Sequence, residues 1–135
     1  METTRLGRTG LIVSRTAFGA LPIQRVDFDT AREILRTAYQ GGINFYDTAR
    51  GYSDSEAKLA YALGDVRDQI YIATKASGAK NRDDVLRKVE TSLETLQTDH
   101  VDVYLLHGIN RNWWPKLRDL DVLEWAPPEV VVDVY

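Results

Sequence analysis

An α/β fold made of repeated strand–helix units on a parallel sheet is what this sequence predicts, and three observations predict it. Short apolar runs end near Ala20, Asp47, Lys75 and His107, so strand ends recur at intervals of 27, 28 and 32 residues, the length of one strand plus one helix. Between the runs, apolar residues return at helical spacing, which marks an amphipathic helix packed on one side. The runs themselves stay apolar until their last residue, as strands buried on both faces of a parallel sheet do, with polar groups gathering where the strands emerge. Handedness and connection rules then place the helices outside the sheet.

Taken in order, residues 3–6 and 11–13 flank Gly7-Arg8-Thr9-Gly10 and predict a small N-terminal hairpin, since glycines supply the positive φ of a tight turn. Residues 15–20 (RTAFGA) predict the first parallel strand, stopped by Leu21-Pro22 because proline cannot donate to a ladder. Asp27 or Thr30 can cap a helix whose Ala31, Ile34, Leu35 and Ala38 form one face, and Gly41-Gly42 end it. The run 43–46 (INFY) is the second strand, closed by Asp47. A polar loop with Thr48, Arg50 and Tyr52 follows, and Ser53-x-x-Glu56 reads as a capping box opening the next helix. In that helix Ala57, Ala60, Tyr61 and Gly64 put small groups on one side for close approach to the sheet. Residues 70–74 (IYIAT) form the third strand, followed by Lys75. Asn81 caps a helix with the stripe Val85, Val89, Leu93, Leu96, leaving Arg87, Lys88 and Glu94 to water, and residues 101–106 (VDVYLL) form the fourth strand, followed by His107.

At 135 residues and 44% hydrophobic content the chain can bury one core. A net charge of −3 offers no basic face, so nucleic acid is not an expected partner. No apolar run approaches the roughly 20 residues that span a bilayer, and no charged-then-apolar signal pattern is present, so no membrane association and a cytoplasmic location are expected. Zero cysteines exclude disulfides and thiolate metal sites within the chain and fit a reducing compartment. No metal site is expected.

Asp47, Lys75 and His107 should share the rim where the strands emerge, with Tyr52 above them on the loop after the second strand. Here the sequence resembles the aldo-keto reductase family. FYDTARGYSDSE matches that family's Asp-to-Tyr segment, ATK its lysine strand, and SLETLQTDHVDVYLLH its helix-to-histidine segment. The resemblance runs from about Thr4 to about Asn110. It is nearest to the subgroup with Ala-Arg-Gly before the tyrosine and Gly-Ile-Asn after the histidine, whose complete members often carry a cysteine-rich iron–sulfur segment. The fold implied is a (β/α)8 TIM-type barrel. Eight units close a barrel of typically about 250 residues, so this chain is expected to hold about the first four units with the N-terminal hairpin.

The resemblance implies NADPH-dependent reduction of an aldehyde or ketone, with Asp47, Tyr52, Lys75 and His107 as catalytic residues and a small-molecule carbonyl substrate. Their chemistry suits that task. A developing alkoxide needs a proton donor, and a phenol is too weak an acid unless a cation sits beside it. Lys75 can supply the cation, Asp47 can pair with Lys75 in a desolvated site, and His107 can hydrogen-bond and orient the carbonyl oxygen. Singly, each has a non-catalytic reading: a packing aromatic, a cap carboxylate, a solvated charge, a polar strand exit. All four at corresponding strand ends favour a site.

No Gly-x-Gly-x-x-Gly fingerprint is present, no cofactor-binding residue is assigned, and most of the NADPH site is expected on later strands, as the resemblance implies. Residues 1–110 are thus expected to be the N-terminal half of such a barrel. Residues 111–135 are expected to be a divergent tail, with Trp113-Trp114-Pro115, a short helix over 116–124 and the β-prone VVVDVY end, as in a truncated or frame-disrupted product. An open fourth-strand edge would promote self-association. His100, at the opposite end of the strands, is expected to be structural, Asp54 and Glu56 to be helix N-terminal carboxylates, and Arg50 is open between an anion contact and solvent. Two other readings stand: a Schiff-base aldolase using Lys75, and a non-catalytic barrel fragment or partner-binding module.

Overall fold

The computed structural model describes residues 1–78, 80–112 and 115–116. Strands β1 (Thr3–Arg5) and β2 (Ile12–Ser14) pair antiparallel with Thr4 opposite Val13. In the turn between them Gly7 and Gly10 take φ of +51° and +83°, which glycine enters without a Cβ clash. Asn44 fastens the hairpin to the main sheet, accepting from Ser14 N at 2.7 Å and donating to Ile12 O at 3.1 Å.

Four parallel strands follow in sheet order β3-β4-β5-β6: β3 (Phe18–Gly19), β4 (Phe45–Asp47), β5 (Tyr71–Ser77) and β6 (Val103–His107). The first is shorter than residues 15–20 predict. Arg15 finishes the hairpin instead, its amide donating to Glu2 O at 3.0 Å and its guanidinium pairing with the Glu2 carboxylate, so only Phe18 and Gly19 reach register with Tyr46 and Asp47.

Helix α1 (Phe28–Gln40) is capped by Asp27, whose carboxylate accepts from Thr30 N at 2.7 Å. Ala31 and Leu35 are fully buried and Tyr39 packs on the same core. The buried stripe therefore leans along residues four apart, and Ile34, expected inside, is 41% exposed. Helix α2 (Ser55–Leu63) departs further from expectation. Leu59, Ala62 and Leu63 are its buried apolar face, whereas Tyr61 is 49% exposed and lays its ring edge-on to Phe28 at 5.6 Å with its hydroxyl donating to Asp29 at 2.9 Å. Bulky leucines filling the core outweigh close approach through small residues. The capping box does not form either: Ser53 adopts φ +50°, no side chain caps the helix, and Glu56 turns inward. Helix α3 (Arg82–Leu96) starts as expected at Asn81, which accepts from Asp84 N at 2.9 Å. Val85 and Leu96 are buried, but Lys88, expected in water, folds back to donate to Ser77 O at 2.7 Å and Gly78 O at 3.1 Å.

Side chains alternate across each strand, and this sorts the sheet into two unlike faces. Tyr46, Ile72, Thr74, Ala76 and Tyr104 point to the helices and are buried; Ala31, Leu35, Leu59, Leu63 and Leu96 pack with Tyr46 and Ile72 as the main core. On the other face Ala73 and Val103 are buried, while Phe45, Tyr71, Lys75, Leu105 and His107 are only partly covered. Burial on both faces, as the apolar runs predict, thus reaches the second face only at Ala73 and Val103 among its described strand residues. No helix there is long and apolar enough to cross a membrane. Trp113, Trp114, most of the short helix predicted over 116–124 and the VVVDVY end lie outside the described residues.

Candidate active site

Asp47 and His107 are the last residues of β4 and β6, as their apolar runs predict. Lys75 differs: β5 continues two residues past it to Ser77. The register explains why it still reaches its neighbours. Asp47 is level with Ala73, Lys75 with Leu105 and Ser77 with His107, so Asp47, then Lys75, then the level pair Ser77 and His107 climb the sheet two residues at a time and point to the same face.

There the four predicted residues form one chain of contacts. Lys75 Nζ donates to Asp47 Oδ2 and to the Thr48 carbonyl, both at 2.7 Å, and stands 5.1 Å from the centroid of the Tyr52 ring, within cation–π range. The Tyr52 ring meets the His107 imidazole edge-on at 5.4 Å with an interplanar angle of 83°. The Lys75 side chain is 13% exposed and that of Asp47 35%, so the pair is half-sheltered rather than sealed.

The loop carrying Tyr52 is built onto β5. Thr48 N donates to Ala73 O at 2.8 Å and Arg50 N to Lys75 O at 3.2 Å, extending the ladder past the end of β4. The Thr48 and Ser55 hydroxyls meet at 2.9 Å, and Ser55 Oγ also donates to Ala20 O. At Gly51 the loop has little room beside the strand: a Cβ there would lie 3.3 Å from Ser77 Oγ, tighter than side-chain packing usually tolerates.

Ser77 Oγ meets His107 Nδ1 at 3.0 Å, and among the described residues Nε2 makes no hydrogen bond. Burial and the nearby Lys75 charge, partly offset by Asp47, hold the His107 pKa below the usual 6.5, so the ring is neutral at neutral pH. Because the folded-state value is the lower one, the unfolded chain takes up the proton first as pH falls. His107 therefore makes the fold less stable below about pH 6.5, with the loss complete once pH passes the lowered folded value. Histidine NMR titration should give a His107 midpoint below that of the unfolded chain; an equal or higher midpoint would refute the burial of this ring.

Glu56 and Arg50 were misread or left open by sequence reasoning. Glu56, expected as a dipole-favoured carboxylate at a helix start, is 1% exposed, accepting from Thr74 Oγ1 at 2.7 Å and from Arg50 Nη1 at 2.5 Å. Arg50, left between an anion and solvent, also donates to Thr95 Oγ1 at 3.0 Å. An acid four residues after a loop tyrosine carries no mark of burial in sequence. Asp54 sits at the start of α2 and accepts from the buried Lys58 at 2.8 Å. His100, at the far end of the sheet, is exposed and pairs with Asp99.

A parallel βα half-sheet with one helix-covered face and one open face is part of a (β/α)8 barrel, and solved structures bear this out. A putative aldo-keto reductase from Pseudomonas aeruginosa superposes with a TM-score of 0.76 at 31% identity, over 92% of this chain and 50% of that one. An aldo/keto reductase from Klebsiella pneumoniae, solved with NADP and acetate, does so with a TM-score of 0.70 at 28% identity, over 77% of this chain and 38% of that one. The family model for the aldo/keto reductase family matches residues 15–126, past Asn110 where the quoted motifs end. This chain belongs to the aldo/keto reductase family. Among curated relatives, the uncharacterized oxidoreductase YrpG of Bacillus subtilis is 36% identical over 82% of this chain, which spans 41% of that protein. The L-galactose dehydrogenase of Arabidopsis thaliana is 37% identical over 81% of this chain, which spans 39% of it.

Proposed function

We propose that this chain carries the proton-donating half of an NADPH-dependent reduction of an aldehyde or ketone to an alcohol, in the cytoplasm. The observation that carries the reading is the Lys75 ammonium, salt-bridged to Asp47 at 2.7 Å and standing over the Tyr52 ring that also touches His107. A substrate carbonyl lying on the open face would take a hydrogen bond from His107 Nε2 and the proton from the Tyr52 hydroxyl. Lys75 stabilises negative charge as it passes to the phenol oxygen, and Asp47 fixes Lys75 in place. NADPH, when bound, supplies the hydride to the carbonyl carbon. The partly exposed faces of Asp47, Tyr52 and His107 leave room for a flat ring beside them, and the residues that grip the nucleotide are expected on strands beyond β6.

The Lys75 nitrogen is engaged twice, by Asp47 and by Thr48 O, which works against the Schiff-base reading, since that reaction needs a free amine. The test is a chimaera joining residues 1–110 to the later strands of the aldo-keto reductase YhdN of Bacillus subtilis, a relative 33% identical over 85% of this chain. Aldehyde-dependent consumption of NADPH by the chimaera is the expected result. A folded chimaera that binds NADPH and leaves aldehydes untouched would sink the proposal.

A further inference from the structure

Glu56 sits where a charge is costly. A carboxylate this deeply buried persists only if it is paired and hydrogen-bonded, and each of its oxygens has a partner: Oε1 the hydroxyl of Thr74, itself fully buried, and Oε2 the Arg50 guanidinium. Arg50 in turn touches three elements. Its amide bonds to Lys75 O on β5, and the same Nη1 reaches Glu56 at the start of α2 and Thr95 on α3. Two residues later comes Tyr52, and directly after it Ser53 at φ +50°, a conformation that non-glycine residues keep only when their surroundings hold them. We propose that the Arg50–Glu56 pair, keyed to Thr74 and Thr95, is a clamp that positions Tyr52 against Lys75 and His107, with Glu56 and Arg50 acting as positioning residues.

The functional meaning of the clamp rests on Tyr52 being the proton donor; the clamp itself is read without activity. His107 reports on it. Its ring is covered by Tyr52, and the groups facing it, Lys75, Asp47, Tyr52 and Ser77, are untouched by changes at residues 50 and 56. In the full chain with labelled histidine, wild type should show a Tyr52–His107 ring contact by NOE and a His107 titration midpoint below the ordinary value. Glu56→Gln puts an NH2 group among donors, so the contact should be lost and the midpoint should rise towards that of free histidine as water reaches the ring. Arg50→Lys, which keeps a cation beside Glu56, should preserve both. Should Glu56→Gln not fold, the double variant Arg50→Met with Glu56→Met removes the pair without orphaning a charge and should show the same two changes. A wild-type NOE and midpoint in Glu56→Gln, or in the double variant where Glu56→Gln does not fold, would overturn the clamp. Tyr52→Phe separates the two ideas: it should keep the ring contact while lowering turnover in the chimaera on the order of 100-fold or more, so loss of one readout does not imply loss of the other.

Discussion

Tyr52→Phe in the chimaera should lower turnover on the order of 100-fold or more, the usual cost of removing a general acid, while NADPH binding stays as it was. The structure makes this an unusually clean substitution. Both contacts of Tyr52 with the site, the Lys75 ammonium and the edge-on His107 ring, are made by the aromatic ring, and among the described residues its hydroxyl makes no hydrogen bond. Phenylalanine therefore keeps the packing and deletes only the proton donor. A Phe variant turning over at the parent rate would remove Tyr52 from the chemistry.

Lys75→Met should cost on the order of 100- to 1,000-fold, comparable to deleting one preorganised electrostatic donor. The methionine follows the path of the lysine stem but brings no charge to the Tyr52 ring, and it leaves Asp47 and the Thr48 carbonyl without the donor that both now share at 2.7 Å. Because the Asp47 side chain is 35% exposed, water can take the place of the lysine, so the effect on stability should be small beside that on rate. The comparison is steady-state aldehyde reduction by parent and variant over about pH 6 to 8. Equal rates across that range would show that the charge over Tyr52 has no part in the reaction.

How much of this was legible beforehand varies with the physics behind each feature. Strand ends at Asp47 and His107, the Asp27 and Asn81 caps and the hairpin were readable because each follows from short-range chemistry: an apolar run meeting a charge, a side chain reaching an amide two or three residues on, glycines in a turn. Lys75 is expected at the end of its strand on the shared rim, whereas β5 runs two residues further, to Ser77, through residues that look like loop. The inward face of α2 was misjudged for a tertiary reason. Leu59 and Leu63 fill the core, and nothing local says which side of a short helix meets it. Glu56 was lost in the same way, because S-x-x-E encodes a capping box and a buried ion pair alike; Arg50 across the loop and Thr74 on the next strand decide between them.

With the proton-donating residues proposed on this chain and the grip on the cofactor beyond it, the most direct test is NADPH titration by fluorescence of the 135-residue chain and of the chimaera in parallel, with the size of each read by light scattering. The chimaera should bind NADPH as a closed barrel. The chain alone, with one sheet face half-open, should self-associate and give no saturable binding. A monodisperse monomer of the chain binding NADPH in the micromolar range would contradict the account.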